Sequence, residues 1–230
     1  MREFYQKQVA GLDCIVWEKP GNQKAIVLLH GYGADFRDLS ALAPELDPQQ
    51  NFDWYFPNGI LSVPIGPHTE GRAWFPIDMI ALQEAMLTGN RRPFANRIPD
   101  GLEHASQRMQ KLLEELHPRY TKLIVGGFSQ GAMLSCDVAL HMQEAPAALL
   151  QLSSSLVAQA RWEPLFAQRS GLKVFQSHGQ SDPILPFQSA EELAKFFQIH
   201  NYALNFVHFS GAHEIPRIVL QKLQKFLQEI

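Results

Sequence analysis

Leu123-Ile124-Val125-Gly126-Gly127-Phe128-Ser129-Gln130-Gly131 is the stretch on which the reading of this chain turns. A continuous apolar run breaks into Gly-x-Ser-x-Gly, and a helical pattern follows from Gln130 to Met142, with Met133, Val138 and Leu140 among small residues. Strand, sharp turn and helix in that order make a nucleophile elbow. The turn is so tight that the positions flanking the serine must lack side chains, and the serine hydroxyl is held at the top of the sheet, at the helix N-terminus. The pentapeptide alone is a weak signal; its context gives it weight.

On either side of it, short apolar runs alternate with helical patterns. Candidate strands are Cys14–Trp17, Ala25–Leu29, Asp53–Phe56, Leu123–Val125, Ala148–Leu152, Lys173–Gln176 and Asn205–Phe209. Ile26-Val27-Leu28-Leu29 and Leu123-Ile124-Val125 are continuous rather than alternating, which suits parallel strands buried on both faces. Between the strands, Ile98, Leu102, Ala105, Met109, Leu112 and Leu116 share one helical face, ended by His117-Pro118. Ser189-Ala190-Glu191-Glu192 has the form of a capping box before Leu193 and Phe196. The last apolar face runs through Val219, Leu223, Phe226 and Ile230, with Pro216 expected in the first turn. The alternation predicts an α/β three-layer sandwich with a mostly parallel central sheet, built as a single domain over residues 1–230 without a large cap domain. Ligands in such sheets sit beyond the carboxyl ends of the strands. Pro57 to Asn96 fits the rhythm least and is expected to be an ordered binding loop, since its aromatics argue against disorder.

The bulk composition narrows the function. With 230 residues, 46% of them hydrophobic, one sizeable core is available. The net charge is −3 and the Lys and Arg residues are scattered, which argues against a nucleic-acid or anionic-membrane surface. No apolar run reaches membrane-spanning length, and Met1 to Gly11 lacks a signal-peptide core, so no stable membrane insertion is expected. The two cysteines, Cys14 and Cys136, read as reduced thiols of a cytoplasmic protein. No Cys/His spacing suggests a metal. The sequence leaves oligomeric state open and allows a homodimer.

A serine needs a base to take its proton and a third group to orient that base. Three histidines follow position 182. His200 ends a helix and His208 lies within a strand-like run, whereas His213 follows that strand in Ser210-Gly211-Ala212-His213-Glu214, from where an imidazole reaches back over the sheet to Ser129. The acid must follow the preceding strand, and Asp182 does so, in the turn Gln180-Ser181-Asp182-Pro183. Glu191 and Glu192 are better explained by the helix that follows, and His178 by a hydrogen bond within its loop. The order serine, acid, histidine is that of the α/β-hydrolases. An oxyanion would be met by the backbone N–H of Gln130 and by that of Tyr32, in the loop Leu29-His30-Gly31-Tyr32-Gly33. His30 reads as a brace of that loop.

Together, His30-Gly31-Tyr32-Gly33, Gly127-Phe128-Ser129-Gln130-Gly131-Ala132-Met133, His178-Gly179-Gln180-Ser181-Asp182-Pro183 and Gly211-Ala212-His213-Glu214-Ile215 resemble the phospholipase/carboxylesterase family, which includes the acyl-protein thioesterases. The resemblance spans about residues 24–230. It implies an α/β-hydrolase fold and a serine hydrolase acting on small-molecule acyl esters or thioesters without a cofactor or metal. It also implies a Ser129, Asp182, His213 triad and an oxyanion hole from Tyr32 and Gln130. The expected reaction is hydrolysis of short-to-medium acyl carboxylic esters. Thioesterase or lysophospholipase activity is the alternative within the family, and an inactive hydrolase-fold ligand-binding protein the alternative outside it. One departure concerns the acyl-binding loop. The family has Trp, an aromatic and then Asp; this chain has Trp74-Phe75-Pro76-Ile77-Asp78. Trp74, Phe75, Met79 and Ile80 are the expected apolar wall for substrate.

Overall fold

The computed structural model describes residues 3–77 and 98–230. Ten strands and six α-helices lie among them. In chain order they are β1 (Tyr5–Val9), β2 (Leu12–Trp17), β3 (Lys24–Leu29), α1 (Leu42–Leu46), β4 (Asp53–Pro57), β5 (Leu61–Gly66), β6 (Thr69–Ala73) and α2 (Leu102–Leu116). Then follow β7 (Lys122–Phe128), α3 (Gln130–His141), β8 (Ala148–Leu152), α4 (Gln159–Phe166), β9 (Lys173–Gly179), α5 (Phe187–Ile199), β10 (Ala203–Phe209) and α6 (Arg217–Gln228). Eight strands form one sheet in the order β1-β2-β4-β3-β7-β8-β9-β10. The β1–β2 and β2–β4 pairs are antiparallel, and every later pair is parallel. This is the α/β-hydrolase architecture, with all seven expected strands present.

The continuous apolar runs have a simple cause. Along β3, Ala25, Val27 and Leu29 face one hydrophobic layer while Ile26 and Leu28 face the other. In β7, Leu123 and Val125 join the first layer and Ile124 the second. Helices α2 to α5 supply residues such as Met109, Leu134, Trp162 and Phe197 to the first layer. Helices α1 and α6 close the second, through residues such as Leu46, Val219 and Leu223. A strand covered by helices on both sides has no polar face, so its sequence cannot alternate.

Three local expectations are corrected. Helix α5 begins at Phe187 with Pro186 at its N-cap, so Ser189 sits inside the first turn and caps nothing. Pro216 is the N-cap of α6 rather than a residue of its first turn. The start of the Pro57–Asn96 stretch is not irregular: β5 and β6 form a separate antiparallel hairpin, Leu61–Ala73.

At the edge of the sheet opposite the elbow, Glu18 collects a polar network. The Tyr5 and Tyr55 hydroxyls donate to it, Arg119 donates at 2.8 Å, and Lys7 lies at 3.2 Å. Tyr55 in turn meets the Tyr120 hydroxyl at 2.7 Å, and Tyr120 donates to Asp53 at 2.7 Å. Burial alone would raise the Glu18 carboxyl, but these donors and cations outweigh it and draw it down to about 2. A carboxyl depressed on folding stabilises the native state above its ordinary value of 4.5 and loses that contribution as pH falls toward 2. Glu18→Gln is therefore expected to cost roughly 2 kcal/mol near pH 7. Urea titrations at neutral pH and near the folded-state pKa should show the gap between Glu18→Gln and wild type closing in acid. A gap independent of pH would refute this assignment.

Candidate active site

Ser129 occupies the residue between β7 and α3 with φ 54° and ψ −119°, a left-handed conformation that non-glycine residues enter only when the surroundings impose it. Its N–H donates to Leu152 O at 2.9 Å, and its carbonyl accepts from Ala132 and Met133 at 3.0 and 3.1 Å. The flanking glycines are steric necessities. A Cβ on Gly127 would fall 2.4 Å from the Gly131 carbonyl carbon, and one on Gly131 would fall 2.2 Å from Leu29 O. The elbow is thus wedged between β7, its own helix and the end of β3.

The other expected residues also follow parallel strands. Asp182 follows β9 and His213 follows β10, and His213 Nδ1 lies 2.6 Å from Asp182 Oδ2. The second oxygen, Oδ1, accepts the N–H groups of Ile184 and Leu185, each at 2.8 Å. Burial would raise the Asp182 carboxyl, but the bonds from His213, Leu185 and Ile184 hold it below its ordinary value. Its two oxygens therefore divide the work: one is fixed to the turn and the other faces the imidazole. The two loops are tied together, since Gln180 N–H donates to Phe209 O at 2.9 Å and Ser181 N–H to Gly211 O at 3.0 Å. The His213 ring packs against the ring of Phe128, with centroids 4.7 Å apart, beside the elbow serine.

The loop after β3 is equally fixed. His30 donates through Nδ1 to Gly31 O at 2.7 Å and accepts the Gly59 N–H at Nε2, 2.9 Å away. Burial lowers this imidazole to about 4, so it stays neutral and keeps that tautomer at working pH. The hairpin absent from the sequence reading completes the brace. Gly33 N–H donates to Arg72 O and Arg72 N–H to Ala34 O, both at 2.8 Å. Gly71 allows this approach, because a Cβ there would sit 2.0 Å from Gly33 O. The backbone at Gly31 passes close to the elbow: a Cβ on Gly31 would lie 3.5 Å from that of Ser129. Tyr32 is the next residue of that loop. Gln130 opens α3, where the first N–H groups of a helix have no intrahelical acceptor.

The expected apolar wall does not hold as drawn. Trp74 and Phe75 are 0% and 2% exposed, inside the first hydrophobic layer. Trp74 donates through its indole to His30 O at 2.8 Å, and its backbone N–H donates to Gln130 Oε1 at 3.0 Å. Gln130 Nε2 donates to Phe75 O at 2.7 Å. These two aromatics therefore brace the elbow and the β3 loop from within, and a local sequence window could not show the buried amide that holds them. Met79 and Ile80 lie outside the described residues. Exposed apolar side chains beside the site are Ile184, two residues past Asp182, and Ile65, whose Cγ2 lies near Gly33.

Nearly the whole chain is similar to known proteins. The chain is 25% identical over 222 residues to acyl-protein thioesterase 1 of Candida albicans, covering 90% of this chain and 91% of that one. Among solved structures, esterase PE8 matches with a TM-score of 0.73 and 28% identity, over 91% of this chain and 93% of that one. Zea mays acyl-protein thioesterase 2 shares the fold, with a TM-score of 0.68 at 22% identity, over 94% of this chain and 97% of that one. The model of the phospholipase/carboxylesterase family matches residues 12–230. Nearly the whole chain is accounted for by that match, and the chain belongs to the phospholipase/carboxylesterase family of hydrolases.

Proposed function

We propose that this hydrolase cleaves short-to-medium acyl carboxylic esters through an acyl-enzyme on Ser129, with His213 as general base and Asp182 as its orienting acid. The observation that carries this reading is the 2.6 Å contact between His213 Nδ1 and Asp182 Oδ2 beside the strained Ser129 elbow. Ser129 Oγ attacks the ester carbonyl carbon while His213 Nε2 takes the hydroxyl proton. The oxyanion is met by the N–H groups of Tyr32 and Gln130. Collapse expels the alcohol, which receives the proton from His213. Water then attacks the acyl-enzyme with the same base, releasing the carboxylic acid and restoring Ser129.

A substrate wall from Ile65 and Ile184, in place of Trp74 and Phe75, gives an open and modest apolar surface. Each added methylene buried there contributes about 0.8 kcal/mol until the surface ends. A thioesterase reading is favoured by one observation, the relative named acyl-protein thioesterase 1 that aligns over 90% of the chain. A cytoplasmic location suits Cys14 and Cys136, both free and buried.

A rate series over acetate, butyrate, octanoate and palmitate esters, with octanoyl thioester alongside, tests this proposal. Rising kcat/KM from acetate to butyrate or octanoate, then a plateau or fall, is expected. A monotonic rise to palmitate would contradict the short wall, and no turnover of any member would contradict ester hydrolysis.

A further inference from the structure

His178 lies in β9, fully buried, four residues before Asp182, and the catalytic order leaves it no part. Its Nε2 is 2.8 Å from Leu185 O and 3.3 Å from Asp182 Oδ2, the same oxygen that meets His213. Leu185 O can only accept, so Nε2 carries the proton. Nδ1 makes no well-formed hydrogen bond, though the ring also interacts with the backbone of Ser154. Burying a ring nitrogen without a well-formed bond costs free energy that an apolar side chain at this place would not. The shortest polar contact of this imidazole is the one to the peptide that holds the acid.

The connections form a closed path. Leu185 N–H donates to Asp182 Oδ1 at 2.8 Å, while Leu185 O accepts from His178. Both ends of one residue's backbone are thus engaged, one by the acid and one by the sheet. His178 is locked in a central layer, since β9 pairs with β8 on one side and β10 on the other. His178 thus adds a second tie between the Asp182 turn and the sheet, beside the bond from Gln180 N–H to Phe209 O. Burial keeps the His178 imidazole below its ordinary value, against the pull of the Leu185 carbonyl and of Asp182, so it remains a neutral donor.

We propose that His178 is a positioning residue for the catalytic acid: through Leu185 it fixes the Asp182 carboxylate so that Oδ2 faces His213. The proposal rests on the Ser129–His213–Asp182 reading. A carboxylate displaced by a fraction of an ångström misorients the base, so turnover suffers more than binding.

Three variants separate this role from simple core filling. Glutamine can place an amide N–H near the position of His178 Nε2; asparagine is too short to reach Leu185 O, and leucine has no donor. Active sites are counted by end-point labelling with a fluorophosphonate, so that kcat refers to folded protein only. His178→Asn and His178→Leu are expected to lose about 10- to 100-fold in kcat per site with KM within about twofold of wild type. His178→Gln is expected to recover most of that loss. Loss of stability alone would lower the number of sites and the melting temperature without changing kcat per site. The proposal is overturned if whichever of the Asn and Leu variants folds turns over like wild type, or if the folded Gln variant is as impaired as they are. An inactive and unlabelled wild-type protein would instead remove the triad reading beneath it.

Discussion

Ser129→Ala is expected to lower kcat by about 10⁴- to 10⁶-fold while leaving the melting temperature nearly unchanged. The elbow requires small neighbours, and it holds residue 129 at φ 54° through backbone bonds to Leu152, Ala132 and Met133. Alanine can make every one of those bonds, so the turn survives while the nucleophile is lost. His213→Ala should cost a similar factor, and the double variant little more than either, because the members of a triad act as a unit. Steady-state hydrolysis of a butyrate ester checks this. Activity of Ser129→Ala within tenfold of wild type would refute the assignment of the nucleophile.

The second large effect is expected at the acid. Asp182→Asn should reduce kcat by about 10⁴-fold, with KM nearly constant. The carboxylate accepts at both oxygens: Ile184 and Leu185 N–H at Oδ1, and His213 Nδ1 at Oδ2. An asparagine can keep the two backbone bonds through its carbonyl oxygen, which turns its amide N–H₂ toward His213. The imidazole must then present a bare Nδ1 to that donor and carry its proton on Nε2. In that tautomer it cannot take the serine proton. Hydrolysis at saturating substrate separates the outcomes, since a variant that retained more than a tenth of wild-type kcat would show that Asp182 does not orient the base.

The parts of this fold that the sequence announces are those where one physical cause dominates. Ile26 to Leu29 is apolar throughout because both its faces are covered, and that pattern survives any local detail. The elbow is equally plain, because Gly127 and Gly131 have backbone where a side chain would be. Asp182 and His213 are legible because each follows a strand that can be recognised independently. What stays hidden depends on contacts between distant segments. Strand β1, Tyr-Gln-Lys-Gln-Val, is a largely exposed edge and carries no apolar pattern. Strand β5 contains Pro64, and β6 contains Gly71, residues that argue against strands until the partner is known. Gly71 is required by the close pass of Gly33, which lies 38 positions away along the chain. Trp74 reads as substrate-facing because it is an aromatic in a long connection. Its backbone is instead gripped by the buried Gln130 amide, a bond between residues 56 apart. The same holds for His178, whose bond to Leu185 becomes meaningful only once Leu185 is seen to hold Asp182.

Ser129, activated from these loops, is expected to attack an acyl carbonyl. Incubation with a fluorophosphonate followed by peptide mass spectrometry tests it most directly. One stoichiometric adduct is expected on the peptide containing Ser129, formed in step with loss of esterase activity and absent from Ser129→Ala. Ester hydrolysis that persists after full exposure to the reagent, or an adduct that maps to another residue, would contradict it.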